Sequence, residues 1–202
     1  MKIDSAKFER SAPDLKSCPN WNLPEIAFIG RSNVGKSSLL NLLTARRDLA
    51  KTSGTPGKTQ LINFFTVNDR WSLVDLPGYG FASVGHQRRD EFNAAVSEYL
   101  EKRQNIICVF VLIDSRLSPQ RIDLQFLRWL AECAVPFVLI FTKTDKQSET
   151  RTRENIQEFT RTLSEGGMEV PSFFSTSAKT KTGRDELLGF IGRTLEANRR
   201  AR

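Results

Sequence analysis

Glu25–Ile29 (EIAFI) runs straight into Gly30-Arg31-Ser32-Asn33-Val34-Gly35-Lys36-Ser37, and Leu39, Leu40, Leu42 and Leu43 follow at helical spacing. An apolar run of strand length, a loop of the form G-x-x-x-x-G-K-[ST] and an amphipathic helix in that order read as strand, phosphate-binding loop, helix. Backbone N–H groups of such a loop converge on phosphate oxygens, and the helix N-terminus adds its partial positive charge. Lys36 is placed to reach the outer phosphates, and the Ser37 hydroxyl to reach Mg2+. A chance match in an ordinary turn is the alternative; the flanking strand and helix argue against it.

Working outward, short apolar runs alternate with helical patterns. Leu61–Val67 and Trp71–Asp75 flank Asn68-Asp69 as a hairpin, so one strand should run antiparallel to the rest. Arg88–Lys102 reads as a helix with Phe92, Val96, Tyr99 and Leu100 on its apolar face. Ile106–Asp114 is a continuous apolar run of the kind seen in fully buried strands. A helix near Pro119–Ala134 carries Ile122, Phe126, Leu127 and Leu130, and the strand Pro136–Phe141 follows. Glu149–Leu163 reads as helix, Pro171–Phe174 as a short strand, and Gly183–Ala197 as a last helix with Leu187, Leu188, Ile191 and Leu195 inward. The expected fold class is an α/β P-loop domain: a six-stranded, mostly parallel sheet with one antiparallel strand and helices on both faces. Residues 1–23, with Pro13 and Cys18-Pro19, read as an irregular arm. Residues 24–197 read as the nucleotide-binding domain and 198–202 as a frayed basic tail.

Four further elements sit where this fold presents ligands. Asp75-Leu76-Pro77-Gly78 closes a strand as D-x-x-G; Asp75 is suited to hold Mg2+ through water, and the Gly78 N–H to meet the terminal phosphate. Thr142-Lys143-Thr144-Asp145 follows the strand ending at Phe141. Guanine points an N1–H and a 2-amino group the same way, and one carboxylate, Asp145, can accept both; adenine lacks that donor pair. Lys143 can lie along the base or brace the P-loop. The usual G-protein form of this element has Asn at the position of Thr142. Ser175-Thr176-Ser177-Ala178-Lys179 comes after the last strand, where a backbone N–H near Ala178 can reach the guanine O6. The polar loop Thr52–Gln60, with Gly54 and Gly57, should carry a switch threonine as second protein ligand of Mg2+; Thr59 is the choice, with Thr55 and Thr52 as competitors. Each element alone also reads as a solvated turn. Their order along the chain makes them specific.

The segments GRSNVGKSSL (30–39), TPGKTQ with the following NFF, DLPGYGFA (75–82), LIDSR (112–116) and TKTD (142–145) together resemble the EngB (YihA/YsxC) family of bacterial ribosome-biogenesis GTPases, in the TrmE-Era-EngA-EngB-septin-like group. The resemblance runs from Glu25 to the C-terminus and includes Thr at position 142. It implies a nucleotide site of Gly30, Arg31, Ser32, Asn33, Val34, Gly35, Lys36 and Ser37; Gly57, Lys58, Thr59, Gln60 and Leu61; Asp75, Leu76, Pro77 and Gly78; Thr142, Lys143, Thr144 and Asp145; and Ser175, Thr176 and Ser177. It also implies GTP and GDP as ligands, Mg2+ on Ser37 and Thr59, a role in assembly of the large ribosomal subunit, and a requirement for normal cell division and septation. Lys36 and Asn33 are the expected catalytic residues. Ras-like enzymes place a water-orienting Gln where this chain has Tyr79, so intrinsic hydrolysis should be slow. In related GTPases an Asn at the position of Asn33 helps bind K+, which motivates K+ as a stimulating ion; a purely loop-shaping Asn33 is the alternative.

Composition sets the remaining limits. A formal net charge of +7 suits a polyanionic partner such as rRNA. Three cysteines without close spacing argue against a disulfide framework or a zinc site, and a single histidine, His86, argues against a Ser-His-Asp triad. Cys108 reads as a core residue. The N-terminus is charged where a signal peptide would be apolar, so a cytosolic protein is expected, with monomer as the default. A P-loop ATPase or small-molecule kinase, and an RNA-binding or cell-division scaffold with little turnover, are the rival classes.

Overall fold

The computed structural model describes residues 1–46, 49, 61–79 and 86–201, with the backbone alone at 86–93. The strands are β1 (Ala6–Ala12), β2 (Glu25–Gly30), β3 (Ile62–Val67), β4 (Trp71–Asp75), β5 (Ile106–Asp114), β6 (Phe137–Thr142) and β7 (Phe173–Ser175). The helices are α1 (Lys36–Thr44), α2 (His86–Lys102), α3 (Arg121–Glu132), α4 (Glu149–Glu165) and α5 (Arg184–Ala201). They build a seven-stranded sheet in the order β1-β3-β4-β2-β5-β6-β7. The pairs β2–β4, β2–β5, β5–β6 and β6–β7 are parallel, and β3 runs antiparallel to both β4 and β1. The single antiparallel strand is therefore as expected, but the sheet has seven strands rather than six.

The extra strand is β1, within the segment read as an irregular arm. Its sequence, AKFERSA, buries only Ala6 and Ala12, so no alternating apolar pattern announces it. The strand is held by backbone pairing from Ala6 opposite Val67 to Ala12 opposite Ile62. Phe8 adds an edge-on ring contact with Phe65 at 5.6 Å. Lys7, Glu9 and Arg10 then mark the sheet's outer edge with charge, which discourages further strand addition. At the other terminus, α5 continues through 198–201, the residues read as a tail. Ala, Asn and Arg extend the helix there, and Arg199 and Arg200 complement the negative end of its dipole.

Successive side chains of a strand point to opposite faces, and the central strands use both. Ile26, Phe28, Phe110, Leu112 and Ile140 pack with Leu39, Leu40 and Leu43 of α1 and Leu187, Leu188 and Ile191 of α5. Ala27, Ile29, Val109, Val111, Leu139 and Phe141 pack on the other face with α2, α3 and α4 through Tyr99, Leu127, Leu130, Ile156 and Phe159. Helices cover both faces as expected, and Cys108 is buried within the first of these clusters. Leu42 and Leu195, expected inward, are only partly buried. Phe92 lies outside the residues whose side chains are described.

One buried charge anchors the start of β2. The Glu25 carboxylate is fully buried and accepts from Tyr99 Oη at 2.7 Å, Trp21 Nε1 at 2.8 Å and the Arg103 guanidinium. Five residues later the same strand delivers the P-loop.

Candidate nucleotide site

The C-terminal ends of β2, β4, β5, β6 and β7 lie along one rim of the sheet, where open α/β folds bind ligands. After β2 the chain turns through Asn33 at φ 59° and Gly35 at φ 105°. Left-handed residues at these two places make a concave run of N–H groups, and Gly takes such a φ without steric cost. Helix α1 starts at Lys36 with Gly35 as its N-cap. The Lys36 ammonium forms an ion pair with the Asp75 carboxylate, and both side chains are almost wholly buried. Thus the P-loop lysine and the D-x-x-G aspartate meet in one recess. Ser37 is half-buried beside them, whereas Ser32 and Asn33 are exposed.

Strand β4 hands Asp75 to this recess, and Leu76 N donates to Phe28 O at 3.0 Å, which ties the segment to β2. Leu76 and Pro77 are buried. Gly78 lies so close to the P-loop that a Cβ would sit 2.7 Å from Gly30 O and 3.5 Å from Ser32 N. Only glycine fits this approach. Arg31 directs its guanidinium away from the P-loop, to Asp123 at 3.0 Å. Its contribution to a phosphate site is therefore limited to its backbone.

The residues expected to recognise the base are cross-tied. Thr142 Oγ1 lies 2.6 Å from Val34 O and 3.2 Å from Ile113 O. The threonine that replaces the usual Asn thus joins β6 to the P-loop by its hydroxyl. Lys143 Nζ donates to Asn33 O and to Asp114 Oδ2, at 2.8 Å for the latter. Of the two roles open to Lys143, its ammonium performs the bracing one. Asp114 in turn pairs with Arg116 at 2.8 Å. Burial works against its charge, but hydrogen bonds from Arg116 and Lys143 outweigh that and hold its carboxyl at about 2. Asp114, quoted above only within LIDSR, is a site residue that spacing alone does not reveal. Its position at the end of the most apolar strand was the available signal.

Asp145 is the most telling member. Its side chain is 9% exposed. Its Oδ1 accepts from Ser177 Oγ at 2.6 Å, a bond that keeps the carboxyl below its usual range. Its Oδ2 is buried and has no hydrogen-bond partner, the Lys146 ammonium being 3.9 Å away. Ser177 is itself fixed, accepting from Thr180 N at 3.1 Å. Thr144 N and Oγ1 both reach Thr176 O, which locks the loops after β6 and β7 together. A cavity of about 970 Å³ opens between these loops and α1, lined among others by Gly35, Ser38, Lys143, Asp145, Lys146 and Lys179. A buried carboxylate oxygen without a donor, at the wall of a cavity that ends at the P-loop, fits a ligand presenting N–H donors. The residues present therefore fit a guanine nucleotide.

Thr59, the expected second protein ligand of Mg2+, is not among the described residues. Gly57, Lys58, Thr59 and Gln60, with the competitors Thr52 and Thr55 and with Gly54 and Gly80, lie outside the described residues. Leu61 is described and is exposed just before β3. Among the described residues no cluster of three or more His, Cys, Asp or Glu could hold a metal.

Comparison with known proteins agrees with this geometry. Residues 25–143 match the protein family described as "50S ribosome-binding GTPase". The chain is 52% identical over 191 residues to a probable GTP-binding protein EngB of Bacteroides thetaiotaomicron, covering 95% of each chain. It is 51% identical over 191 residues to the corresponding protein of Christiangramia forsetii, covering 95% of this chain and 96% of that one. A crystal structure of a probable GTP-binding protein engB superposes with a TM-score of 0.68 at 26% identity, over 86% of this chain and 99% of that chain. The D-x-x-G, T-K-x-D and P-loop geometry and these likenesses coincide, and the chain belongs to the EngB family of GTP-binding GTPases.

Proposed function

We propose that this GTPase is a cytoplasmic, monomeric switch in assembly of the large ribosomal subunit, and that normal cell division and septation depend on it. The family description naming the 50S ribosome supports the partner, and the net charge of +7 suits contact with rRNA. The observation that carries guanine selection is the buried, donor-less Oδ2 of Asp145.

In this reading the N–H groups of Gly30–Ser37 and the α1 N-terminus bind the phosphates. On nucleotide binding Lys36 would exchange its Asp75 partner for the outer phosphates, leaving the Asp75 carboxylate free to help hold Mg2+. Ser37 and Thr59 would hold Mg2+, which when bound would supply charge neutralisation at the transferred phosphoryl group. Gly78 offers its N–H to the terminal phosphate. Asp145 accepts from guanine N1–H and the 2-amino group, and Ser175–Ser177 and Gly57–Leu61 line the nucleotide. No glutamine stands after Gly78, so intrinsic hydrolysis is slow and a partner or K+ at Asn33 accelerates it. Equal rates in KCl and NaCl, with and without ribosomal subunits, refute the K+ part.

The test is co-sedimentation with ribosomal subunits in GDP and in a non-hydrolysable GTP analogue. Association with the large subunit that requires the analogue is expected. Association indifferent to nucleotide favours a scaffold instead, and none at all removes the ribosomal reading. No described helix is long and apolar enough to cross a membrane.

A further inference from the structure

Asp123 sits in the first turn of α3, outside the base pocket, yet its side chain is only 1% exposed. Its Oδ1 accepts from Arg31 Nε at 3.0 Å and from Tyr79 Oη at 2.9 Å, while Oδ2 is buried without a partner. Burying a carboxylate is expensive, and an apolar residue would dock α3 at least as well. What the carboxylate does that an apolar residue cannot is bind two other segments at once. One is the residue after the first P-loop glycine; the other is the residue after the D-x-x-G glycine.

Tyr79 is doubly held. Its ring stacks on Phe126 of α3, with centroids 4.4 Å apart and planes 22° from parallel. Burial raises its hydroxyl well above the usual range, and the nearby Asp123 charge adds to this, so it remains a donor. Tyr79 therefore turns into the protein at the position where Ras-like enzymes hold a water-orienting Gln. Its neighbour Gly78 is pressed against Gly30 and Ser32 with no room for a Cβ. The Gly78 peptide is thus clamped between the P-loop on one side and a tyrosine fixed to α3 on the other.

We propose that Asp123 is a positioning residue for sensing the terminal phosphate: through Tyr79 it fixes the Gly78 N–H beside the P-loop, and so raises the affinity for a nucleotide with three phosphates relative to one with two. Arg31, on the same oxygen, keeps the P-loop in register with that peptide. This rests on the reading that the Gly78 N–H meets the third phosphate. A clasp that merely docked α3 would affect both nucleotides and thermal stability alike, whereas a positioning clasp moves the ratio of affinities.

The experiment measures equilibrium affinities for GDP and for a non-hydrolysable GTP analogue, with Mg2+, in the full chain. Its variants are Tyr79→Phe, Asp123→Ala, the double variant and Gly78→Ala. Tyr79→Phe removes one hydroxyl and keeps the ring stack. It should weaken the analogue about three- to tenfold and leave GDP within twofold. Asp123→Ala should lower the same ratio at least as far, and the double variant no further than Asp123→Ala. Gly78→Ala should lower the ratio furthest. If Asp123→Ala does not fold, Tyr79→Phe decides alone. An unchanged ratio in Tyr79→Phe overturns the proposal, whether both affinities fall together or neither moves. If Gly78→Ala also keeps the ratio, the reading of Gly78 falls with it; if Gly78→Ala lowers the ratio, only the role of Asp123 and Tyr79 is lost.

Discussion

Glu25→Ala should bring the whole domain near the limit of stability, although Glu25 touches no ligand. The carboxylate is fully buried and accepts from Tyr99, Trp21 and Arg103. The Arg103 side chain is 13% exposed and donates also to Pro19 O at 2.8 Å. Truncation leaves that guanidinium without its anion; breaking a buried pair from one side costs about 3–5 kcal/mol. Tyr99 Oη, fully buried, loses its acceptor, which alone costs about 1–3 kcal/mol. The two overlap because the same groups relax together, so we expect about 4–6 kcal/mol in all. Domains of this size are typically stable by about 5–15 kcal/mol. Replacing Arg103 as well, in Glu25→Ala/Arg103→Met, removes the stranded charge and should recover about 2 kcal/mol or more. Equilibrium unfolding in urea, followed by tryptophan fluorescence and circular dichroism, reads both numbers provided the m-value is unchanged. A loss below about 1 kcal/mol for Glu25→Ala, or a double variant no more stable than the single one, refutes the reasoning.

Ser177→Ala removes the bond that holds the Asp145 carboxyl low; GDP affinity should fall about tenfold, the size of a charge-assisted hydrogen bond. Because the ionised carboxyl is the form proposed to bind guanine and loses its support, the acid-side loss of GDP affinity should begin at higher pH than in wild type; coincident pH profiles from a fluorescent-GDP titration contradict this. Asp114, depressed to about 2 from 3.8, contributes stability that is complete above the ordinary carboxylate range and lost as pH falls from about 4 to about 2. Asp114→Asn should flatten that part of the stability curve, and an unaltered acid limb speaks against the Lys143–Asp114–Arg116 chain. Thr142→Val keeps the shape but loses the hydroxyl tie to Val34 O; about 1 kcal/mol less stability is expected in thermal unfolding, with weaker GDP binding.

Local chemistry made the site legible. The P-loop, D-x-x-G and T-K-x-D are contiguous runs at strand ends, so spacing and order place them before any contact is known. The two-faced sheet was legible from the long apolar run at β5 and the helical spacing of its neighbours. Strand β1 was not, because an edge strand buries so little that AKFERSA carries no period; its stability comes from backbone pairing with β3. The extension of α5 was hidden by charge, which reads as tail but also suits a helix C-terminus. The carboxylates that organise the site were least legible. Asp123 meets Arg31 across 92 residues of sequence, and Glu25 meets Arg103 across 78; only the folded sheet brings them together. Asp145 could be assigned from its motif, but its unpartnered oxygen could not. Arg31 shows the converse: a P-loop position suggested the phosphates, and tertiary packing turned the side chain elsewhere.

Competition binding with purine nucleotides in Mg2+, on wild type and Asp145→Asn, most directly tests whether this pocket selects guanine. Wild type should prefer GDP and GTP over ATP and over xanthine nucleotides by at least about a hundredfold, since a site built for hydrogen-bond donors rejects bases that lack them. Asp145→Asn should weaken guanine binding and favour xanthine, whose 2-oxo group accepts from the new amide. ATP competing as well as GTP, or Asp145→Asn keeping its guanine preference, contradicts the account.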